Sequence, residues 1–409
     1  MRTQLNTAEK ELVGLLASKC TSMQEIHDML KSLFKDAIEE MLESEMDEHL
    51  GYDKHSPAGD LSGNSRNGYS KKTLQTQMGK TELKIPRDRN GEFEPQLIEK
   101  YQTKSNDIER QIIAMYAKGM STRDIEDHLR DIYGIDASAS LISRITDKIL
   151  PQMTEWQSRQ LDAIYAVVFL DGIVFKVKKD AKIINKCVYS VLGITLEGKK
   201  EILGIWVTEN ESASFWATVC NELRNRGVSD ILISCHDNLK GFSDAINSAF
   251  PKTEQQLCII HQIRNTTRYV SYKDLKSVTA DLKAIYQAAS EDDALYRLEE
   301  FGEKWNKKYL QIYKSWTDNW FELSTFFKFP EEVRKIIYTT NAVEGFHRML
   351  RKYTKTKTTY PSDESVKKSV YLSIEEISKK WSMPIRDWGI IMGQLCIFFE
   401  KRLLPIKSA

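Results

Sequence analysis

The sequence predicts an α/β core with a mixed sheet, interrupted by an all-helical insertion and preceded by a mostly helical region. Three observations predict this class. Residues from Ile164 onward form three β-rich stretches joined by tight turns, a helix then leads to a short apolar strand, and residues 262–335 show only helical periodicity. The helix that completes the core is therefore expected after the insertion.

Composition excludes several classes of protein. The 409-residue chain is 41% hydrophobic, which is ordinary for two or three packed domains. Its first residues lack the apolar stretch of a signal peptide, and no apolar run approaches the ~20 residues that a membrane-spanning helix needs. Six cysteines without a repeated pair spacing favour free thiols in a reducing compartment. We expect a cytoplasmic protein that does not bind membranes.

The net charge of +1, taken alone, argues against a nucleic-acid-binding protein, but it averages unlike segments. Residues 1–60 carry thirteen acids against six Lys and Arg, whereas residues 328–357 carry eight Lys and Arg against three acids. A phosphate responds mainly to charges within a Debye length of about 8 Å. Local basic surface is therefore compatible with a neutral chain.

The N-terminal region predicts a helix, a linker and a small β-element. Residues 23–50 have apolar positions at helical spacing and an acidic opposite face, which is typical of a helix that packs on a partner, and we expect dimerisation there. Ser56–Tyr69 is rich in Gly, Ser and Asn and predicts a linker. Lys71–Ile85 alternates like a strand and leads into the turn Pro86–Gly91.

Residues 106–150 predict two short helices around a tight turn. Ser121 can cap a helix that runs through Tyr133 and ends at Gly134, and Ser138 or Ser140 can cap a second helix. This layout describes a helix-turn-helix, whose second helix would offer Ser143, Arg144 and Lys148 to DNA. The alternative is an ordinary pair of packed helices.

The sequence pattern from Ile164 onward predicts a meander, a crossover helix, a parallel strand and a helix, which is the element order of a ribonuclease-H-like fold. The predicted strands are Ile164–Val177, Ile183–Thr195, Glu201–Val207 and Asp230–Asp237, with helices at Glu211–Arg226 and from Leu239. Beyond the insertion we expect a helix that bears Glu344, then terminal helices at Ser362–Lys380 and Trp388–Leu404. The tryptophans of the insertion are expected to pack between helices, with base stacking by one of them as the alternative.

We therefore divide the chain into seven segments. They are an N-terminal helical dimerisation or DNA-binding region (1–60), a small β-element and linker (61–100), a helical DNA-binding domain (101–158), the first part of the core (159–261), the all-α insertion (262–335), the core helix with Glu344 (336–360) and C-terminal helices (361–409).

Three acids on core elements predict a metal site. Asp171 lies in an apolar strand, Asp237 ends the parallel strand, and Glu344 leads a basic helix. In this topology the two aspartates lie on neighbouring strands, where like charges are tolerable if metal ions sit between them. Hard oxygen ligands suit Mg²⁺, with Mn²⁺ as a substitute, and two such ions can promote phosphoryl transfer.

Each acid also has a structural alternative. Asp171 could open a tight Asp-Gly turn, Asp237 could cap the helix that follows it, and Glu344 could close a capping box with Asn341. Before the three are considered together, capping and catalysis are equally compatible with Glu344. Three acids on three core elements favour metal binding.

Two further patterns surround these acids. Arg348, Arg351, Lys352 and Lys355 follow Glu344 as a positive strip, which suits a nucleic-acid backbone. Cys258 and His261 have the spacing of a zinc half-site, but no second matching pair exists, so zinc is not expected. We expect Cys258 to pack on a strand and His261 to begin a helix near the acids.

Motifs along most of the chain resemble a known family. They are Val168–Lys176, Asp237–Phe242 with Pro251, Cys258–Asn265, Tyr338–Arg351, Arg66–Tyr69, Pro86–Gly91 with Phe93 and Pro95, and Tyr116–Ile125. Together, in this order and spacing, they resemble a bacterial insertion-sequence transposase of the Mutator-type DDE family. Asn238 departs from the family, which often has Gly after the second Asp.

The resemblance implies a ribonuclease-H-like core in which Asp171, Asp237 and Glu344 take the three catalytic, Mg²⁺-binding positions. It implies cleavage of DNA at terminal inverted repeats and joining of the 3′-hydroxyl to target DNA, by at least a dimer associated with the bacterial nucleoid. Cys258 and His261 fall on the family's Cys-x-x-His signature, with a structural or supporting role. The expected DNA contacts are Arg87, Arg89, Ser143, Arg144, Lys148, Arg264, Arg348, Arg351, Lys352 and Lys355.

Two other functions remain open at this point. One is a transposase-derived DNA-binding protein without chemistry, and the other is a structure-specific nuclease with the same core. Intact carboxylates argue against the first, because a pure DNA-binding protein gains nothing from buried acids beside phosphates.

Overall fold

The computed structural model describes residues 7–56, 63–76, 79–98, 106–209, 212–238, 241–338 and 341–403. The chain divides into two compact units, one of residues Met1–Tyr116 and Met120–Thr146, the other of Ala117–Gly119 and Asp147–Ala409. Within the described ranges, no helix has the length and apolar character that crossing a membrane requires.

The first unit begins with two helices and a β-hairpin, α1 (Thr7–Lys19), α2 (Met23–Leu50), β1 (Arg66–Thr76) and β2 (Gly79–Asp88). The predicted 23–50 helix is confirmed, with Ser22 accepting a hydrogen bond from the Glu25 N–H at its start. Leu42 of α2 is fully buried against Leu74 and Leu83 of the hairpin. The hairpin is longer than predicted. The stretch expected as a linker, Ser56–Tyr69, contains the start of β1, and the stretch expected as a turn, Pro86–Gly91, contains the end of β2.

The turn after β2 is organised by Asp88, which is 2% exposed. Its carboxylate accepts hydrogen bonds from the Asn64 side chain and from the backbone N–H groups of Glu92 and Phe93. A carboxylate that receives several donors stabilises a turn whose own N–H groups would otherwise be unpaired. The Pro-Arg-Asp-Arg-Asn-Gly motif therefore has a structural reason for its acid.

The two helices predicted around a tight turn are present. After α3 (Asn106–Ala117) come α4 (Thr122–Tyr133) and α5 (Ala139–Asp147). Ser121 and Asp124 form a reciprocal capping box at the start of α4, and Gly134 ends it in the left-handed region with φ of +60°. Ser138 accepts from the Leu141 N–H at the start of α5. The caps read from the sequence are confirmed, and a helix-turn-helix role in DNA binding stays a prediction.

The second unit contains a mixed five-stranded sheet with the order β5-β4-β3-β6-β7. The strands are β3 (Ile164–Lys179), β4 (Lys182–Thr195), β5 (Lys200–Thr208), β6 (Asp230–His236) and β7 (Glu254–Leu257). β3, β4 and β5 form an antiparallel meander, while β6 pairs with β3 and β7 pairs with β6 in parallel. The α/β class with a mixed sheet is therefore confirmed.

Helices cover both faces of this sheet. α6 (Leu150–Ser158), α7 (Ala213–Asn225) and α8 (Phe242–Ala249) accompany the strands in the chain. Leu170 belongs to one buried cluster with Trp216 of α7 and Phe242 of α8, whereas its neighbour Phe169 belongs to the other cluster. Adjacent strand residues face opposite sides of a sheet, so the near-continuous apolar sequence of β3 reflects burial on both faces.

The insertion, residues 262–335, consists of helices joined by short turns, and its last helix runs on to Tyr338. It contains α9 (Ile259–Thr267), α10 (Tyr272–Tyr286), α11 (Glu291–Asp318), α12 (Trp320–Leu323), a 3₁₀ turn (Thr325–Lys328) and α13 (Glu331–Tyr338). Trp316 is buried as predicted, at 1% exposed. The Trp305 and Trp320 indole N–H groups donate to Asp281 and Glu291, so their rings pack within the insertion.

One buried amide attaches the insertion to the sheet edge. Gln256 of β7 is fully buried, and its side chain donates to the Leu323 carbonyl at 2.9 Å and accepts from the Phe326 N–H at 2.7 Å. An edge strand presents unpaired backbone groups to its surroundings. Here α12 and the 3₁₀ turn pack beside β7, and the Gln256 side chain is hydrogen-bonded to both of them.

The chain returns to the core through α14 (Asn341–Thr354), α15 (Asp363–Ser378), α16 (Trp388–Phe398) and α17 (Glu400–Leu403). Val343, Phe346 and Leu350 form the buried face of α14. Between α14 and α15, the Tyr360 backbone exchanges hydrogen bonds with Lys176 and Lys178 of β3. The helix that bears Glu344 is therefore packed on the sheet along its apolar face and fixed to β3 beyond its end.

Candidate active site

The parallel pairing of β3 and β6 brings two acids to one end of the sheet. The register places Leu170 of β3 beside His236, the last residue of β6, so Asp171 and Asp237 are the residues that come next in the two segments. Parallel strands that share a register present their following residues at the same level, and the carboxyl ends of such strands commonly form sites. The predicted neighbourhood of Asp171 and Asp237 is confirmed at the level of backbone register.

Asp171 lies inside a continuous strand and is 8% exposed. Asp171 pairs with Ser190 and Gly172 with Tyr189 across the meander, so the Asp-Gly turn considered above is wrong. A Cβ at Gly172 would lie 2.4 Å from the Cys187 Sγ atom, which explains the glycine. Burial, together with the charge of Asp237, raises the pKa of Asp171 to about 7.

Asp237 faces the start of the insertion. Its Oδ1 atom contacts the Nδ1 atom of His261, which lies in the first turn of α9. The helix after β6 begins at Phe242 with Gly241 as its N-cap, so Asp237 is not a helix cap, and residues 239–240 lie outside the described structure. Burial alone would lower the pKa of His261, but hydrogen bonds with Asp237 and Cys258 raise it to about 11.

Cys258 is the N-cap residue of α9 and follows the last residue of β7, so it lies between the two elements and not within a strand. The ligand atoms of Asp237, Cys258 and His261 lie within 4.8 Å of one another, and within the described residues this is the one such cluster. Structural zinc sites take four ligands, whereas this cluster offers three, and one of them is an acid of the proposed magnesium site.

Glu344 reaches across to the same helix. Its Oε1 atom accepts a charge-assisted hydrogen bond from the Arg264 guanidinium of α9, and Arg264 also lies 3.5 Å from the His261 ring. Glu344 is thus bound to a cation from the other side of the site. α14 begins at Asn341, but the Asn341 side chain and residues 339–340 lie outside the described structure, so the capping box stays a prediction.

His347 is the residue that sequence reasoning missed. Its Nδ1 atom lies 3.3 Å from the second carboxylate oxygen of Asp171, and its Nε2 atom is buried without a hydrogen-bond partner in the described structure. Burial and the nearby Arg351, His261 and Arg264 lower the pKa of His347 to about 3, so the ring is neutral near pH 7. The signal was the Glu-x-x-His spacing, which places both side chains on one face of α14.

The site therefore consists of three acidic side chains and three basic side chains. Asp171 contacts His347, Asp237 contacts His261, and Glu344 contacts Arg264. Two neighbouring carboxylates in a buried site repel each other and are stabilised by nearby positive charge or donors. Carboxylate oxygens are the ligands that Mg²⁺ prefers, and the like charge of the neighbouring aspartates favours a cation between them. Within the described residues the three acids do not form one cluster of ligand atoms, and Glu344 is linked to Asp237 through Arg264 and His261.

The predicted DNA contacts fall into separate groups. Arg348, Arg351, Lys352 and Lys355 are exposed, with Lys355 one residue beyond the end of α14. Arg264 belongs to the acid cluster through Glu344. Arg87, Arg89 and Arg144 are exposed on the first unit, where Ser143 is half-buried on α5, and Lys148 is exposed just after α5. The structure brings only Arg264 into direct contact with the acids.

Comparisons with known proteins give a consistent result. Residues 6–384 match the family model described as transposase, Mutator family. The chain is 44% identical over 397 residues to a probable transposase for insertion sequence element ISRM3-like of Sinorhizobium fredii, covering 96% of this chain and 98% of that protein. It is 43% identical to the transposase for insertion sequence element ISRM3 of Rhizobium meliloti, over 96% of this chain and 98% of that protein.

A more distant relative has the same extent. The transposase for insertion sequence element IS905 of Lactococcus lactis is 33% identical over 383 residues, which is 94% of this chain and 96% of that protein. The similarity thus spans both units of the structure.

The raised pKa of Asp171 predicts a pH-dependent stability of the metal-free protein. The pKa is 3.8 for an ordinary aspartate and about 7 in the fold, so the folded state binds the extra proton between these values. The free energy of unfolding should therefore fall, on the order of 4 kcal/mol, as pH rises from about 4 to about 7. Asp171→Asn should remove that fall, and thermal unfolding in chelator at pH 5 and 7.5 measures it.

The exposed Asp136→Asn is the matched control and should follow the wild type at both pH values. An Asp171→Asn variant that is no more stable than the wild type at pH 7.5 would contradict the assignment of Asp171 as a destabilising buried acid.

Proposed function

The chain belongs to the Mutator family of transposases, and we propose that it binds the terminal inverted repeats of its insertion sequence, cleaves the DNA ends and joins the 3′-hydroxyl to target DNA. The observation that carries the proposal is that Asp171 and Asp237 lie side by side at one end of the sheet, with Glu344 linked to Asp237 through Arg264 and His261. The strand order, with an antiparallel meander beside two parallel strands, supports a ribonuclease-H-like core for this chemistry.

The proposed reaction consists of two phosphoryl transfers. In the first, a water oxygen attacks the phosphorus at the element's end, the bond to the 3′ oxygen breaks, and a 3′-hydroxyl is released. In the second, that hydroxyl attacks a phosphorus of target DNA and displaces the target's 3′ oxygen. Asp171, Asp237 and Glu344 would hold Mg²⁺, which when bound activates the attacking oxygen and stabilises the leaving one.

The bases around the acids have distinct roles in this proposal. The neutral His347 lies 3.3 Å from one oxygen of Asp171 and would hold that carboxylate in place without adding charge. Arg264 and His261 keep Glu344 and Asp237 in place from the side of α9. Ligands that are oriented by hydrogen bonds from neighbours bind metals in better-defined geometry.

DNA would lie along the exposed strip of α14, Arg348, Arg351, Lys352 and Lys355, which is opposite the buried face of that helix. These four cations contact phosphates in the proposal and carry no sequence information. Recognition of the terminal repeats is assigned to α5, whose exposed Arg144 can reach base edges in the major groove. Arg87 and Arg89 add backbone contacts from the hairpin.

We further propose that α2 forms the dimer contact. Leu30, Leu33 and Phe34 are each 37% exposed and Met41 is 53% exposed, while Leu42 on the same helix is buried by the hairpin. The apolar residues recur at helical spacing, which makes one partly exposed apolar stripe along α2. A transposase must bring two DNA ends together, and a second copy of α2 is a matching partner for this stripe.

Replacing each acid tests the catalytic proposal. Asp171→Asn, Asp237→Asn and Glu344→Gln should each keep binding to labelled end DNA and lose Mg²⁺-dependent strand cleavage by about a thousandfold or more, because each removes a metal ligand. Gel assays of binding and cleavage measure both properties.

Full cleavage by Glu344→Gln would remove Glu344 from the ligand set. Binding without cleavage by the wild type would favour a DNA-binding protein, and cleavage of branched DNA without preference for ends would favour a nuclease.

Arg144 tests recognition of the ends. Arg144→Ala should cost about 1 to 3 kcal/mol of binding to the terminal repeat and much less on unrelated DNA, because a base contact is lost. Arg130→Ala, which removes an exposed cation on α4 that pairs with Asp127, is the control. Equal losses by Arg144→Ala on both DNAs would indicate a phosphate contact instead.

Phe34 tests the dimer contact. Phe34→Asp should weaken self-association at least about tenfold in sedimentation experiments, since it places a charge in an apolar contact. Ser32→Asp adds the same charge at an exposed position of α2 outside the stripe and should leave association unchanged. A dimer of unchanged strength in both variants would place the interface elsewhere.

A further inference from the structure

A second exposed surface leaves the site along α9 and the turn to α10. Arg268, Tyr269 and Tyr272 lie on it, and the two tyrosines are 71% and 93% exposed. None of the three side chains makes an ion pair, side-chain hydrogen bond or ring contact with another described residue. Large aromatics that remain this exposed are unusual, because their burial is normally favourable.

One end of this surface is attached to the acid cluster. His261 contacts Asp237, and Arg264 contacts Glu344, both from the exposed side of α9. Arg268 follows Arg264 by four residues, so it lies on the same side of the helix. The surface therefore begins at the acids and continues outward along α9.

The other end is held by α11. The helix is kinked at Tyr309, where φ is −136° and ψ is 46°, and the Tyr309 hydroxyl accepts from the Ser271 N–H at 3.1 Å. The same hydroxyl lies 2.7 Å from an Asp274 carboxylate oxygen, which also binds Lys308. These contacts fix the turn between Tyr269 and Tyr272. The two rings are thus displayed from a rigid support.

Charge and length suit a nucleic-acid strand. Between residues 262 and 276 the only acid is Asp274, and it is bound by Lys308 and Tyr309. Arg268 lies seven residues beyond His261, which is about 10 Å along a helix. Stacked nucleotides advance about 3.4 Å each, so Arg268 and Tyr269 lie about three nucleotides from the acids.

We propose that Tyr269 and Tyr272 stack on unpaired bases of the DNA strand that leads to the scissile phosphate, while Arg268 binds its backbone. The proposal rests on the proposed function, since it assumes that DNA occupies the acid cluster. Aromatic rings stack on bases whatever their sequence, provided that the base face is not covered by pairing partners and neighbours. The surface would hold the strand open beside the site, independently of sequence recognition by α5.

The test uses the full chain and a duplex of the terminal repeat, either fully paired or with three nucleotides unpaired at the cleavage point on each strand in turn. 2-Aminopurine at the unpaired positions reports stacking, and chelator prevents cleavage. Tyr269→Ala and Tyr272→Ala should each lose about tenfold in affinity for unpaired DNA and keep affinity for paired DNA within about twofold. Both should also lose the quenching of 2-aminopurine.

Tyr269→Phe and Tyr272→Phe keep the ring and should behave as the wild type. Tyr296→Ala, at an exposed tyrosine of α11, is the matched control. Equal losses on paired and unpaired DNA would overturn the stacking assignment in favour of duplex contacts, and unchanged affinity and quenching would overturn it entirely. Absence of Mg²⁺-dependent cleavage by the wild type would instead count against the proposed function, which the binding assay does not measure.

Discussion

The repulsion between Asp171 and Asp237 is the constraint on which the rest of the site depends. Parallel pairing of β3 and β6 places both carboxylates at one level of a sheet that is buried on both faces. Two negative charges at such close range in a poorly solvated site are unfavourable unless other groups compensate. The fold supplies that compensation from helices rather than from the sheet itself.

The insertion is placed where this compensation is needed. The first helix of the insertion, α9, directly follows β7 and carries His261 and Arg264. The helix that follows the insertion, α14, carries Glu344 and His347. The start of the insertion and the helix that follows it therefore both contribute to the acid cluster. Residues 262–335 interrupt the core in sequence, but Arg264 within them binds Glu344, the acid that follows them.

The sequence predicted the regular elements well because their signals are local. Alternation and turn residues placed β3 within two residues of its observed bounds, and the Ser121 and Gly134 caps placed α4 as observed. β7 was missed, since Glu254–Leu257 is only four residues long and three of those residues are polar. His347 was missed because the Glu-x-x-His spacing shows only that His347 shares a face of α14 with Glu344, whereas its contact with Asp171 depends on how α14 packs on the sheet. Asn238 is a similar case, because its side chain donates to Asn319 of the insertion.

Gln256 has a consequence for how this architecture can be shortened. Its side chain joins the edge strand β7 to the insertion by hydrogen bonds on both sides of one amide. A chain from which the insertion had been deleted would expose the edge of β7 to other extended polypeptides and would leave the Gln256 amide without its two partners in the insertion. Such a truncation would not yield a smaller catalytic domain but a sheet prone to pair edge to edge.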